Sequence, residues 1–226
     1  MKRTLLTLIC LATLWLPSSR CTAQIYAKVN GLYALVGVFN PAVEFKLTNH
    51  STFQTELVYS PWQSVNLDGL SKPMHFGIFM NEYRYFFRGH NDGWYLGGNF
   101  GMMAFKMSKP YWDGGIHLED RYSKGYGFLF GVCVGYEYVF RKRWILDAFF
   151  GWSYMTSFYN GYDLDGKIQM DPGHLVEPVH PDPFNGSSEW YPNKIGLSIG
   201  MRIFDPTLHK ERKARRLLEK QRRATE

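Results

Sequence analysis

Large apolar residues alternate with small or polar ones through most of the chain. The clearest stretch runs from Gly125 to Phe140, GYGFLFGVCVGYEYVF, where every even position is aromatic or valine. A period of two residues is typical of a β-strand, and each glycine would weaken a helix by ~1 kcal/mol. The stretch therefore predicts a strand and argues against a membrane-spanning helix.

The same alternation predicts eight strands in all. Short connections follow the second, fourth and sixth strands, and longer ones follow the third, fifth and seventh. The fourth strand is irregular because Phe76 and Ile78 share the phase of charged residues farther along, so we expect a bulge near Met80. The predicted strands are residues 25–34, 41–47, 51–61, 74–87, 94–106, 124–140, 144–157 and 193–204.

The content of the two strand faces indicates which kind of barrel these strands form. One face is rich in aromatic and large aliphatic residues, and the other holds glycine, serine and charged residues. An eight-stranded soluble barrel has little interior room for rows of rings, whereas an outer-membrane barrel turns them toward lipid. The sequence predicts an all-β protein, an eight-stranded antiparallel up-and-down transmembrane β-barrel in the outer membrane, with both termini periplasmic. A secreted lipocalin-like binder is the soluble alternative.

Charged residues on the small-residue face are the candidate site. Five acids and four bases nearly cancel, which favours a network of ion pairs that plugs the lumen, because unpaired buried charge is costly. Eight strands leave no open aqueous channel. The predicted lumen residues are Lys28, Glu44, Lys46, Glu56, Glu82, Arg84, Glu137, Asp147 and Arg202.

The first 23 residues have the order of a secretory signal peptide. A basic start at Lys2 and Arg3 precedes an apolar run and small residues that end at Ala23. Cleavage there would leave Cys133 as the only cysteine, and hence no disulfide within the mature chain. Lipidation of Cys21 is the alternative, and Arg20 argues against it. Residues 24–205 are then the predicted barrel domain.

Residues 206–226 form a predicted basic tail. Asp205 followed by Pro206 is a helix-start signal, so we expect a short periplasmic helix. The high pI of 9.1 reflects this tail and does not indicate a nucleic-acid-binding protein. An anionic lipid or cell-wall polymer is the expected tail partner. The basic residues are Lys210, Arg212, Lys213, Arg215, Arg216, Lys220, Arg222 and Arg223.

The sequence contains no HExxH, CxxC or GxSxG motif, so we expect neither a metal nor a cofactor. His174 and His180 lie near acidic residues in a proline-rich loop, where solvated polar residues are common. An outer-membrane enzyme, of the lipid acyltransferase or hydrolase type, is the catalytic alternative. Its site would lie in the extracellular loops. The candidates are His117, Glu119 and Asp120 in one long loop and His180, Ser187 and Ser188 in another.

Strand patterns with a few fixed polar positions occur in residues 28–33, in PAVEF at 41–45, in residues 59–62 and 82–85, and in the long stretch 125–154. These segments resemble a known family, the domain-of-unknown-function 3575 family of small bacterial outer-membrane β-barrel proteins. The resemblance implies an outer-membrane location, supplies no catalytic residues, and suggests surface or fimbrial proteins as loop partners. We therefore expect a non-catalytic, monomeric envelope protein.

Overall fold

The computed structural model describes residues 24–66, 69–141, 143–164, 169–170 and 187–206. Strands dominate these ranges because apolar and small residues alternate along them. One short helix, α1 (Gly31–Leu35), follows the first strand. The strands are β1 (Ile25–Asn30), β2 (Pro41–Lys46), β3 (Ser51–Asn66), β4 (Ser71–Phe86), β5 (Gly93–Met107), β6 (Pro110–Trp112), β7 (Ile116–Leu118), β8 (Arg121–Phe140), β9 (Trp144–Asp163), β10 (Gln169–Met170) and β11 (Ser187–Phe204).

Eight of the described strands form one antiparallel sheet in which each has two neighbours. The order is β9-β11-β1-β2-β3-β4-β5-β8, and β8 pairs in turn with β9, so the order returns to its start. The sheet is therefore closed on itself. The short strand β10 adds to β9, and β6 and β7 form a separate hairpin between β5 and β8.

Short turns lie at one end of the closed sheet and longer connections at the other. The turn end holds residues 47–50, 87–92, 141 and 143, with the start of β1 and the end of β11. The loop end holds α1 and the β6–β7 hairpin. At the turn end, Asn91 and Gly93 adopt φ angles of 59° and 87°, in the left-handed region that Asn and Gly tolerate best.

Residues on each strand face alternately into and out of the closed sheet. On β8 the odd positions point inward, and these include Gly135 and Cys133. An added β-carbon at Gly135 would overlap the Tyr95 ring, and one at Gly196 would overlap the Phe149 ring. Glycine therefore makes room on the inward face for large side chains from neighbouring strands.

The interior has a polar half and an apolar half. Toward the turn end the inward residues are mostly charged. Toward the loop end they form an apolar layer, against which Tyr33 and Val38 from the α1 region pack. The buried members of the layer are Val58, Ile78, Met80, Met103, Phe105 and Leu129.

All eight predicted strands exist, but two details of the prediction were wrong. The first strand ends at Asn30, because the Asn30 side chain accepts a hydrogen bond from Leu32 N and begins α1. The expected bulge near Met80 is absent, since β4 pairs with β5 without a register shift from Met74 to Phe86. Ile78 and Met80 share the inward face with charged residues because that face changes from apolar to polar along the strand. Most of the other strands extend farther toward the loop end than predicted.

The predicted signal peptide and almost all of the basic tail, including its eight Lys and Arg residues, lie outside the described residues. The same is true of His174 and His180. No helix within the described ranges has both the length and the apolar composition needed to cross a membrane.

Candidate functional site

Lys28 of β1 lies at the centre of a buried ion-pair cluster near the turn end. Its Nζ is 3.1 Å from Asp147 Oδ2, and it also pairs with Glu44 and Glu137. These partners come from β2, β8 and β9, and all four side chains are almost completely buried. One ammonium group thus links β1 to an adjacent strand and to two strands farther around the sheet.

Arg84 of β4 joins the same carboxylates from the other side of the interior. Its Nη1 lies 2.9 Å from Glu137 Oε1 and 2.8 Å from Asp147 Oδ2, and its Nε pairs with Glu82. Glu44 Oε2 is 3.6 Å away. The planar guanidinium suits such an arrangement because its donors point in several fixed directions at once.

A second group of ion pairs lies one step farther toward the apolar layer. Lys194 Nζ of β11 is 2.7 Å from Glu82 Oε2 and 3.1 Å from Glu56 Oε1. Gln54 donates a hydrogen bond of 2.9 Å to the other oxygen of Glu56. Glu82 contacts both Arg84 and Lys194, so the two groups form one continuous cluster.

Neutral donors complete the cluster, in which three cations face five carboxylates. Asn91 Nδ2 donates to Glu44 Oε1 at 3.1 Å and to Glu137 Oε2 at 2.7 Å. Tyr95 donates its hydroxyl proton to Asp147 at 3.0 Å, and its ring lies 4.6 Å from the Arg84 guanidinium. Uncharged groups therefore supply hydrogen bonds that the cations alone do not provide.

Seven of the nine predicted lumen residues lie in this cluster. The other two, Lys46 and Arg202, are half-buried at the turn end. There they lie near His90, whose pKa is lowered by partial burial and by these positive charges. The lowered pKa favours the neutral form of His90.

Sequence reasoning missed four members of the cluster. One of them, Gln54, shares the inward phase of Glu56 but is uncharged. Lys194 lies in the predicted strand 193–204 and has the inward phase of Gly196, so the alternation itself could have identified it. Tyr95 was read as one more aromatic residue, although its odd position matches the inward Gly97. Asn91 belongs to a turn, and no strand pattern points to its side chain.

The polar residues of the long loop after β5 do not assemble around one point. His117 Nε2 lies 3.1 Å from the Asp113 carbonyl oxygen, and Glu119 pairs with Arg121. Asp120 lies 2.8 Å from the buried Lys72 Nζ. Within the described ranges no cluster of three or more His, Cys, Asp and Glu side chains could hold a metal ion. The side chains of Ser187 and Ser188 are outside the described part.

The outward face of the closed sheet is apolar and exposed. Its middle consists of large aliphatic and aromatic side chains, and tyrosine and tryptophan occur toward each end. On the turn side these are Tyr83, Tyr85, Trp94, Tyr136, Tyr138 and Trp144, and on the loop side Tyr59, Tyr126 and Trp190. Between them lie Leu96, Phe100, Met102, Phe128, Phe130, Val132, Val134, Leu146, Phe150, Leu197 and Ile199.

The family model described as "Protein of unknown function (DUF3575)" matches residues 5–174. The chain belongs to this family. The match covers the strands from β1 through β10 and ends before β11, which contributes Lys194 to the ion-pair cluster. Neither the curated proteins nor the solved structures include a match to this chain.

Cys133 provides a direct test of whether water-borne reagents reach the interior. Its side chain is 1% exposed and packs with Phe86, Tyr95 and Phe149. We expect a bulky maleimide supplied in water to leave Cys133 unlabelled in the folded protein and to label it fully in urea. Peptide mass spectrometry would assign the label to this residue. Rapid labelling of the folded protein would contradict a closed interior.

Proposed function

We propose that this protein is an eight-stranded β-barrel of the outer membrane of a diderm bacterium, with a plugged lumen and with both termini in the periplasm. In this proposal it has no catalytic activity and serves as an envelope or cell-surface interaction protein, or as a protein associated with surface assembly. Its predicted signal peptide would direct export.

The apolar outward face is the observation that carries the proposal. Along β8 the outward residues run from Tyr136 to Tyr126 with only valine and phenylalanine between them. At about 3.3 Å per residue this stretch is about 33 Å long, and a tilt near 40° reduces its height to about 25 Å. That height matches the apolar band of outer-membrane barrels, and the flanking rings match their interfacial aromatic girdles.

The inward face supports a closed lumen. Ion pairs cross the turn-side half, and apolar side chains fill the loop-side half. An ion moving through the barrel would have to break the ion pairs in the turn-side half and lose its hydration among the apolar side chains of the loop-side half. The proposal therefore excludes a role as a general pore.

The loop end is the proposed contact surface for proteins outside the cell. The β6–β7 hairpin is held at its base by Lys72, which donates to the Leu118 carbonyl oxygen at 2.5 Å. Tyr111 and Ile116 are exposed on the same hairpin. A fixed hairpin with exposed apolar side chains suits binding to a surface or fimbrial protein. The basic tail is proposed to bind anionic lipid or cell-wall polymer on the periplasmic side.

A soluble lipocalin-like binder fits these observations poorly. Such a protein would expose the whole aromatic outward face to water and bury eight charged side chains in place of a ligand. Contiguous exposed apolar surface of this extent marks contact with a membrane or another protein. The enzyme alternative has no supporting geometry among the described loop residues, so it remains the weaker hypothesis.

Fractionation and gel mobility test the location and the fold together. We expect the protein in the outer-membrane fraction, with an unheated sample that migrates faster than a boiled one because the barrel stays folded in detergent. A known periplasmic protein and a known outer-membrane barrel serve as controls. Recovery in the soluble periplasmic fraction, with a mobility that heating leaves unchanged, would refute the proposal.

A further inference from the structure

The wall of the closed sheet is incomplete between β11 and β3. Strands β1 and β2 have six residues each, about 20 Å, whereas a strand needs about 9–11 residues to cross a bilayer. In the described part of the chain, residues 187–197 have ladder pairs only with β9. Residues 57–66 pair with β4 and otherwise form only the isolated Phe39–Tyr59 bridge. Residues 31–40 therefore form the loop-side half of this part of the wall.

A few separate hydrogen bonds replace the missing ladder at both edges of the gap. On the β11 side, Asn30 Nδ2 donates to the Ile195 carbonyl oxygen at 3.2 Å. On the β3 side, Asn40 Nδ2 donates to the Leu57 carbonyl oxygen at 3.1 Å, and Phe39 and Tyr59 exchange two backbone hydrogen bonds of 2.9 and 2.7 Å. Backbone groups at membrane depth need such partners, because lipid supplies none. These few bonds are nevertheless easier to break than a continuous β-ladder.

Trp62 fastens the end of α1 to β3. Its Nε1 donates a hydrogen bond of 3.0 Å to the Val36 carbonyl oxygen, and its ring lies against Gly37. Gly37 has a φ of 69°, and an added β-carbon would lie 2.7 Å from the ring. The backbone is thus shaped so that the indole covers the turn after α1. Trp62 is the largest side chain that connects this segment to its neighbours.

The α1 segment is apolar on both of its sides. Leu35, Val36 and Phe39 are exposed on the outward side, continuous with the apolar outward face. Tyr33 and Val38 pack inward against the apolar layer. The segment therefore separates the apolar outward face from the apolar layer, and the Tyr33 hydroxyl also lies near Glu56 and Lys194 at the loop-side edge of the ion-pair cluster.

The interior behind α1 suits a flexible hydrocarbon chain. Its buried layer includes Met80 and Met103, and Met107 and Met155 pack beside it. Methionine side chains adapt readily to irregular apolar ligands because they are unbranched and have three rotatable bonds. The ion-pair cluster then closes the interior below this layer.

We propose that one acyl chain of a lipid from the surrounding bilayer enters the loop-side half of the interior between β11 and β3, as α1 moves outward. This inference rests on the proposed insertion in the outer membrane. Withdrawal of Tyr33 and Val38 with α1 provides the space, and the methionines close around the chain. The polar cluster stops the chain at the middle of the barrel.

Photolabelling with a phospholipid that carries a diazirine on its acyl chain tests this entry route. The full-length mature protein is folded in vesicles that contain the lipid, irradiated and mapped by mass spectrometry. Met102 faces outward and Met103 inward, so adjacent residues report the two environments. We expect adducts on both Met102 and Met103, and on the inward Leu129.

A variant of the fastening residue adds a second arm to the experiment. Trp62→Phe keeps a ring but removes the hydrogen bond to Val36, so the ratio of inward to outward adducts should rise about two- to tenfold. Trp94→Phe is the matched control, because Trp94 lies at the turn end on β5, and it should leave the ratio unchanged. Gel mobility of the unheated samples checks that each variant is folded.

The outcomes separate this inference from the proposed function. Adducts confined to outward residues such as Met102 would overturn acyl-chain entry and leave membrane insertion standing. Equal ratios for wild type and Trp62→Phe would overturn the role of α1 as the moving element. Absence of adducts from both faces would contradict insertion itself, and acyl-chain entry with it.

Discussion

Replacement of Arg84 by alanine is expected to lower the free energy of unfolding by about 3–5 kcal/mol, enough to unfold a marginal domain. Arg84 is the cation that contacts Glu82, Glu137 and Asp147 together. Without it, the carboxylates face one another in an interior that excludes water, and only Lys28 and Lys194 remain to balance them. Urea titration of the protein in vesicles, followed by gel mobility, measures the change.

Arg121→Ala is the matched control for this experiment. Arg121 also forms an ion pair, with Glu119, but its side chain is 64% exposed at the loop end. Exposed pairs contribute about 0–1 kcal/mol, because water screens both charges. If Arg84→Ala and Arg121→Ala lowered the free energy of unfolding by the same amount, the buried cluster would have no special role in stability.

The strands and their faces could be predicted because the alternation is long and rarely interrupted. On β8 the inward phase runs from Gly125 through Cys133 to Glu137, and a shift of one residue would reverse every side chain. The charged inward residues followed from the same phase. Local pattern alone was therefore sufficient to find most of the candidate site.

The sequence was less informative where tertiary contacts decide the structure. Residues 31–34 continue an apolar run, and only the cap formed by Asn30 and its bond to Ile195 turns the chain into α1. Phe76 and Ile78 look out of phase with the charged residues of the same strand. The pattern of one strand does not show that neighbouring strands contribute apolar residues at the same depth.

A charge placed at mid-height on the outward face should be strongly destabilising if that face contacts lipid. Gly98 of β5 is exposed, pairs with Val132, and has no atom within 4 Å of an added β-carbon, so any side chain fits there. We expect Gly98→Arg to cost about 2–4 kcal/mol in vesicles, because a guanidinium at the bilayer midplane loses its hydration. Gly98→Val should change the free energy of unfolding very little. This result would show that the charge of the arginine, and not its size, causes the loss of stability.

Ala104→Arg tests whether the cost depends on depth, as a bilayer requires. Ala104 lies on the same strand and the same face, but it pairs with Tyr126 in the loop-side aromatic group, two residues before Lys106. An arginine there reaches the interface, so we expect a cost of about 0–1 kcal/mol. In a water-soluble protein both arginines would be solvated and both costs would be small. If neither Gly98→Arg nor Ala104→Arg changed the free energy of unfolding, the result would argue against lipid contact along the outward face. A hydrocarbon layer of finite thickness requires instead that Gly98→Arg cost much more than Ala104→Arg.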